Sequence, residues 1–411
     1  MKFFHIADLH LGRMLYHIPL IEEDQPFWVE QFLLAVDEHQ PDAVVIAGDI
    51  YDRKVPSVEA MKLFDHLITE LAKRDKYVFV IPGNHDSSAR LSHVRGLLAM
   101  HRIYIAGELE RDLQRVTVHG EETDVTFYLM PYLFPRLAAD ERVLGRDDLS
   151  TYDEAARALL AVQEIDESSC SVLVAHQNVL ANGVPPEHSE SETIIGGLGE
   201  IECSAFDVFD YVALGHIHNA QRIGRETARY AGCPIYYDFS ELNRDKALTL
   251  VSIHGKGRIE VERIEIPLKH MLRRESGTLK ELLEAGSRME DKEKYYIQCV
   301  LCDKYLPPRA LEQLREVYGS SLVNVKRSID EGRDGRAADS PGAELAALNI
   351  REQFSRFYQE QMNEMLDGDQ EGIVQKILEQ QSRGSGEFIL DVKSIPREDS
   401  RELLDFLLQA T

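Results

Sequence analysis

Cysteine and tryptophan are scarce in this chain, with five and one among 411 residues. An odd number of thiols, Cys170, Cys203, Cys233, Cys299 and Cys302, suits reduced cytosolic cysteines better than a disulfide framework. Cys299 and Cys302 form one Cys-x-x-Cys, but no second pair or nearby His completes a zinc site. The flanking Tyr-Tyr-Ile-Gln-Cys-Val-Leu-Cys reads as a strand with two core thiols. Long apolar runs are also missing: Ala43 to Ala47 is strand-length, far short of the roughly 20 residues of a membrane span. No membrane association is expected. The opening Met-Lys-Phe-Phe-His-Ile-Ala-Asp reaches a charge at Asp8 too soon for a signal peptide, so no export is expected either. Positive charge is short, 46 Lys and Arg against 71 Asp and Glu, a net −25 that excludes a broadly basic nucleic-acid surface. Any phosphate-backbone partner must be met by local patches or by metal ions.

What is present is an ordinary globular composition, 44% hydrophobic and 28% charged, in a length that suits two to three domains. The first stretch alternates strand and helix signals: Lys2 to Ala7, an amphipathic Phe27 to Glu38, Ala43 to Ala47, Val58 to Lys73, then Tyr77 to Ile81. This βαβαβ order predicts an α/β sheet covered on both faces, with functional groups where strands run into loops. Further strands are expected at 125–130, 172–175, 211–214, 248–253 and 259–264, and helices near 92–101 and 153–165. From Pro267 the character changes. A basic patch, Lys269, His270, Arg273 and Arg274, precedes a strand at Tyr295 to Leu301, a helix at Ala310 to Tyr318 and a strand at Leu322 to Lys326. The expected organisation is a domain over 1–267, a small α+β domain over 268–328, a Gly-rich linker over 329–343 and a helical segment over 344–411.

The chemistry gathers at strand ends. Asp8 and His10 follow the first strand, Asp49 follows the second behind Gly48, and Asn84, His85 and Asp86 follow the third in Pro-Gly-Asn-His-Asp. His176 ends a later strand, and His216 and His218 follow another in Ala-Leu-Gly-His-Ile-His. Carboxylates, an amide and imidazoles converging at partly desolvated strand ends need a counter-charge, and divalent cations supply it. Each residue alone reads as a turn or a satisfied core histidine; five strand ends together do not. Imidazole mixed with carboxylate suits manganese, iron or zinc better than calcium, and the donors are too many for one ion. Two ions sharing one carboxylate, about 3.5 to 4 Å apart, would use them all.

Asp8-Leu-His10, Gly48-Asp49, Gly83-Asn84-His85-Asp86, His176 and Gly215-His216-Ile-His218 resemble the calcineurin-like metallophosphoesterase signature. More narrowly, 5–12, 47–52, Ser189-Glu-Ser-Glu192 with Gly196-Gly197, and 210–218 resemble the SbcCD-type nuclease subunits and their Mre-type recombination-repair relatives. The resemblance implies a β-sandwich flanked by helices, with a capping domain and helical tail after it. It assigns Asp8, His10, Asp49 and His218 to one metal, most economically Mn2+, and Asp49, Asn84, His176 and His216 to the other. His85 would position the scissile phosphate and protonate the leaving oxygen.

The implied activity is a DNA nuclease, cutting as double-strand exonuclease and single-strand or hairpin endonuclease. It would work with an SMC-like coiled-coil ATPase in recombination, repair and replication, in the cytoplasm at the nucleoid. A homodimer pairing through 24–38 and 58–73, and a heterotetramer with the ATPase, are implied as well. A phosphomonoesterase or cyclic-nucleotide phosphodiesterase is the alternative on the same centre, and it would need neither capping domain nor tail. Arg13, Tyr16, His17, Arg90 and His93 are candidate DNA-backbone contacts. In the tail, Ile350, Phe354, Phe357, Tyr358 and Met365, then Ile373, Val374, Ile377 and Leu378, recur at helical spacing. With 7 basic and 14 acidic residues over 341–411, this stretch suits a protein groove better than DNA.

Overall fold

The computed structural model describes residues 1–328 apart from 121, 167–168, 190–198, 304 and 306. The linker, the helical tail and residues 190–192 and 196–197 of the Ser-Glu motif lie outside the described residues. In chain order the main elements are β1 (Lys2–Ile6), α1 (Asp24–His39), β2 (Ala43–Ala47), α2 (Val58–Lys73), β3 (Tyr77–Ile81), β4 (Ile103–Ile105), β5 (Gln114–Val118) and β6 (Val125–Met130). They continue with α3 (Tyr152–Ala161), β7 (Cys170–His176), β8 (Tyr211–Gly215), β9 (Gln221–Ile223), β10 (Arg225–Tyr230), β11 (Ala247–Gly255) and β12 (Arg258–Glu265).

Two six-stranded sheets result, ordered β12-β11-β1-β2-β3-β4 and β9-β10-β8-β7-β6-β5. The inner strands of each run parallel, β1 to β4 in the first and β6, β7, β8 and β10 in the second, so their C-terminal ends share one edge of each sheet. Parallel strands covered on both faces read as continuous apolar runs, as in the fully buried Ala-Val-Val-Ile-Ala of β2. Alternation along β1 sends Phe3 to the core between the sheets and Phe4 and Ile6 to the core under α1 and α2. Between the sheets Phe79 stacks on Phe127 at 4.2 Å, and Phe3 meets Phe127 edge-on at 5.5 Å. On the outer face of the second sheet Leu173 and Val212 pack with Leu159 of α3.

Beyond the sandwich, β13 (Met271–Gly277), α4 (Leu279–Arg288), β14 (Tyr295–Leu301), α5 (Ala310–Tyr318) and β15 (Leu322–Arg327) build a three-stranded parallel sheet with two helical crossovers. Its core gathers Leu282, Ile297, Cys299, Leu314 and Tyr318. Buried Asp24 at the start of α1 ties this sheet to the sandwich, receiving the Tyr296 hydroxyl at 2.5 Å and lying 2.9 Å from His270 Nδ1.

Several expectations shift. Helix α1 starts three residues before Phe27 because Pro26 fits a first turn, where its missing N–H costs nothing. The single helix expected over 92–101 is two short turns, Ser88–Leu91 and Arg95–Ala99, broken where Val94 takes a left-handed backbone at φ 58. Helix α3 stops at Ala161, short of residue 165. Cys302 is not a core thiol: it is exposed just past β14, while Cys299 is buried in it. The basic patch is largely consumed inside the protein. Lys269 pairs with Glu23, His270 with Asp24 and Arg273 with Glu275, while Arg274 donates to Gln298 and to the Phe239 carbonyl.

The fully buried Phe127 ring holds the two sheets together. Phe127→Ala should lower unfolding free energy by about 3–5 kcal/mol, read as a shifted denaturant midpoint. A loss below about 1 kcal/mol would show that the sheets close without this stack.

Candidate metal centre

The five parallel strand ends meet at one mouth. Asp8 and His10 leave β1, Asp49 leaves β2, Asn84 and His85 leave β3, His176 is the last residue of β7, and His216 and His218 leave β8. The two sheets touch there directly, His176 Nδ1 donating to the Ala47 carbonyl at 2.8 Å. This approach leaves no room for side chains at two neighbours. A Cβ at Gly48, whose φ is +89, would run into His176 Nδ1, and one at Gly215 would strike the Ala47 carbonyl oxygen. Asp8, His10, Asp49 and His216 all have positive φ, 55, 39, 51 and 100, conformations that L residues hold only when the surroundings impose them.

Asp8, His10, Asp49, His176 and His218 are buried, whereas Asn84, His85 and His216 are half-buried. Nitrogens and oxygens converge at contact distance. His10 Nε2 lies 3.1 Å from His218 Nε2 and 3.6 Å from Asp49 Oδ2. His176 Nε2 lies 3.1 Å from Asn84 Oδ1 and 3.3 Å from Asp49 Oδ2, and His216 Nδ1 lies 3.1 Å from the same Asn84 oxygen. Asp8 groups with His10 and His218 on one side and with Asp49 and His176 on the other.

A carbonyl can only accept, so His176 Nδ1 carries the ring hydrogen and Nε2 offers a lone pair to atoms that are themselves electron-rich. His10 Nδ1, by contrast, is buried with no hydrogen-bond partner among the described residues. Carboxylates, imidazoles and one amide sharing close contacts fit divalent cations, and Asp49 stands between the two groups.

Without cations, protons must serve. Burial raises Asp8 to about 6, and burial lowers His216 to about 3 and His10 well below its usual value. Burial also opposes charge on Asp49 and His176, but their mutual attraction outweighs it. The Asp49 carboxyl is held below the usual range, and His176 rises to about 9. The centre thus already stores separated charge in a desolvated place.

His85 stands apart from the donors. Its backbone N–H donates to Asp49 Oδ1 at 2.9 Å, and its Nδ1 donates to the Asp52 carbonyl at 2.9 Å. Its ring packs edge-on against His10 at 4.9 Å. With Nδ1 committed, Nε2 is the nitrogen left to exchange a proton.

Comparison with known proteins agrees with this geometry. Residues 1–220, more than half of the chain, match the family model described as calcineurin-like phosphoesterase. The chain is a calcineurin-like phosphoesterase. Its residues 268–362 match a second model, described as the type 5 capsule protein repressor C-terminal domain. The nuclease of this name in SbcCD of Staphylococcus epidermidis, one subunit of that enzyme, is 29% identical over 301 residues, 72% of this phosphoesterase and 78% of that protein. Among solved structures, a dimetal phosphatase from Danio rerio is 14% identical with a TM-score of 0.38, covering 65% of this chain and 99% of its own. Yfce, a phosphoesterase from E. coli, is 12% identical with a TM-score of 0.25, covering 61% and 88%. As a member of this family the chain is a hydrolase of phosphoesters that uses divalent metal.

Several residues that build the site have roles that sequence alone did not assign. Asp86 accepts from the backbone N–H groups of Ile50, Tyr51 and Gly83 at 2.9–3.0 Å, lashing the β2 and β3 loops together. Gln25 of α1 donates to the carbonyls of Leu9 and His10. Glu241 lies 3.5 Å from His218 Nδ1 and pairs at 2.8 Å with Lys246, itself buried and 2.9 Å from the Cys233 thiol. A carboxylate only accepts, so it fixes the His218 hydrogen on Nδ1 and frees Nε2 for a cation. Glu241 and Lys246 carry no local motif; only their burial together reveals them.

The Glu241 contact has a measurable consequence. Glu241→Gln removes the anion facing both Lys246 and His218. Metal affinity should fall 10–100-fold and stability by about 3–5 kcal/mol, measured by metal titration of the chelated protein and by denaturant unfolding. Unchanged affinity would mean that His218 is oriented without Glu241.

Proposed function

We propose that this phosphoesterase is the nuclease component of a two-component DNA-processing enzyme. The reading rests on one observation, the convergence of seven metal-type donors and a separate histidine at the strand ends of both sheets. Asp8, His10, Asp49 and His218 would hold one ion and Asp49, Asn84, His176 and His216 the other, with manganese the preferred metal for imidazole-rich donors. The ions, when bound, supply positive charge for a phosphodiester and activate water.

The protein's own groups do the rest. The His216 N–H orients Asp8, and the Asp49 carboxylate anchors the His85 backbone. The Asp52 carbonyl holds the His85 ring so that Nε2 delivers its proton to the leaving 3′ or 5′ oxygen. A chain with net charge −25 needs cations to approach DNA, and this centre concentrates them where the backbone must be cut.

The likeness to a protein named as one part of SbcCD supports a DNA substrate and a partner. We place that partner, an SMC-like coiled-coil ATPase, against the helical segment 344–411. Pairing of two copies through the α1 and α2 region completes a heterotetramer acting on chromosomal DNA in the cytoplasm. The exposed apolar side chains Leu34, Val58 and Met61 on those helices support the pairing.

Chelation should abolish cleavage of linear duplex DNA, and Mn2+ should restore it better than Mg2+. His85→Ala should keep both metals by elemental analysis while cleavage falls about 10²–10⁴-fold. Asp49→Ala should lose the metals themselves. Full activity in Mg2+ alone would remove manganese from the proposal, and a metal-free His85→Ala would make His85 a ligand.

Truncation after Ala338 tests the partner. Metal-dependent cleavage of single-stranded DNA should survive, whereas co-purification with the ATPase and ATP-stimulated cleavage should vanish. Continued co-purification would place the docking surface elsewhere.

A further inference from the structure

Beside the donor cluster stands a wall of aromatic rings that the metal chemistry does not use. Tyr132 follows β6, whose register with β7 runs Met130 against Ala175, the residue before His176. Its ring lies 6.0 Å from the His176 ring and 6.2 Å from the His216 ring. Phe134 stands edge-on to Tyr132 at 4.7 Å, and Tyr152 closes the group at 6.4 Å from Tyr132 and 6.3 Å from Phe134.

The wall is rigid. The Tyr132 N–H donates to the Pro82 carbonyl at 3.2 Å, tying it to the loop that carries Asn84 and His85. Phe134 is wedged between the fully buried Leu133 and Pro135, which opens the helix Pro135–Ala139. The Phe134 carbonyl receives the N–H groups of Leu137 and Ala138. Tyr152 opens α3 behind a Thr151–Glu154 capping box.

Despite this fixed backbone, the Phe134 side chain is 45% exposed beside the most polar part of the molecule. An apolar ring held rigidly in water next to a phosphodiester-cutting centre suits a flat apolar surface that arrives with a phosphate. A nucleobase is that surface.

We infer that Phe134, backed by Tyr132 and Tyr152, is a stacking platform for an unpaired base of the strand whose phosphate enters the metal centre. The inference rests on the nuclease reading above and deepens it by naming the substrate state. Bases paired in a duplex keep their faces on their neighbours, so the platform favours frayed ends and single strands. Every base has a π face, so the platform imposes no strong sequence preference.

The test uses the full chain with Mn2+, a fluorescent single-stranded oligonucleotide, and a counterpart of equal length whose positions are abasic. Wild-type KM should be roughly 5- to 150-fold higher for the abasic strand, the range expected of one stacked base. Phe134→Ala should raise KM for the normal strand to the abasic level and erase the difference between them, with metal content unchanged, and Phe134→Trp should restore it.

If Phe134→Ala still distinguishes the two strands as wild type does, the platform is wrong and the nuclease reading stands. If Phe134→Ala loses its metals, the ring is a support for the centre and the platform is equally wrong. If wild type hydrolyses bis(p-nitrophenyl) phosphate but neither strand, the nuclease reading falls and the platform falls with it.

Discussion

The hydrogen bond from His176 to the Ala47 carbonyl is the contact on which the rest of the centre depends. It brings the end of a strand in one sheet against the end of a strand in the other, so donors from five strands can share a few ångströms. Each sheet alone would present two or three polar residues at its edge, a common arrangement with no special consequence. Joined, they place two carboxylates, an amide and four imidazoles around one space. The cost falls on the backbone: glycine at 48 and 215, where any side chain would collide, and left-handed conformations at Asp8, His10, Asp49 and His216. Such strain persists only where packing over-determines it, and the buried aromatic core between the sheets supplies that packing.

Supporting groups divide the labour by what they can accept or donate. Acceptor-only partners, the Ala47 carbonyl at His176, the Asp52 carbonyl at His85 and the Glu241 carboxylate near His218, fix which nitrogen of each ring bears hydrogen. Donor-only partners work on the carboxylates. The His216 N–H orients Asp8, the His85 N–H orients Asp49, and three N–H groups saturate Asp86. Asp86 is raised to about 6 by burial, with the Asp49 charge adding to it and these N–H groups pulling it back. Its position in Asn84-His85-Asp86 therefore reflects bracing of the loops between β2 and β3.

The donors were legible because each follows an apolar run long enough to be a strand, and the rule that function sits at the C-terminal ends of parallel strands then gathers them. Strand pairing followed from the same runs, since five buried residues in a row, as in β2, leave little choice but an interior parallel position. What could not be read is whatever depends on contacts between distant segments. Nothing in Phe-Ser-Glu241 or in Lys246 announces an ion pair behind His218, and Gln25 looks like a polar residue of an ordinary amphipathic helix. The break at Val94 is similarly tertiary, because valine is among the residues least suited to a positive φ. Lys269, His270, Arg273 and Arg274 show the converse error: clustered in sequence, they look like an anion site, yet the fold assigns most of their charge to internal partners.

That last point bears on how an acidic protein handles a polyanion. With Lys269 on Glu23, Arg273 on Glu275 and Arg74 on Asp37 and Glu70, much of the cationic surface is committed to neighbouring carboxylates. Screening at physiological ionic strength confines the remaining field to about 8 Å, so long-range attraction cannot draw DNA to this chain. Recognition must then be short-range, through bound cations at the centre and through contacts indifferent to charge. A partner that carries its own DNA-binding surface removes the need for a basic one here, which is consistent with a component specialised for the cut.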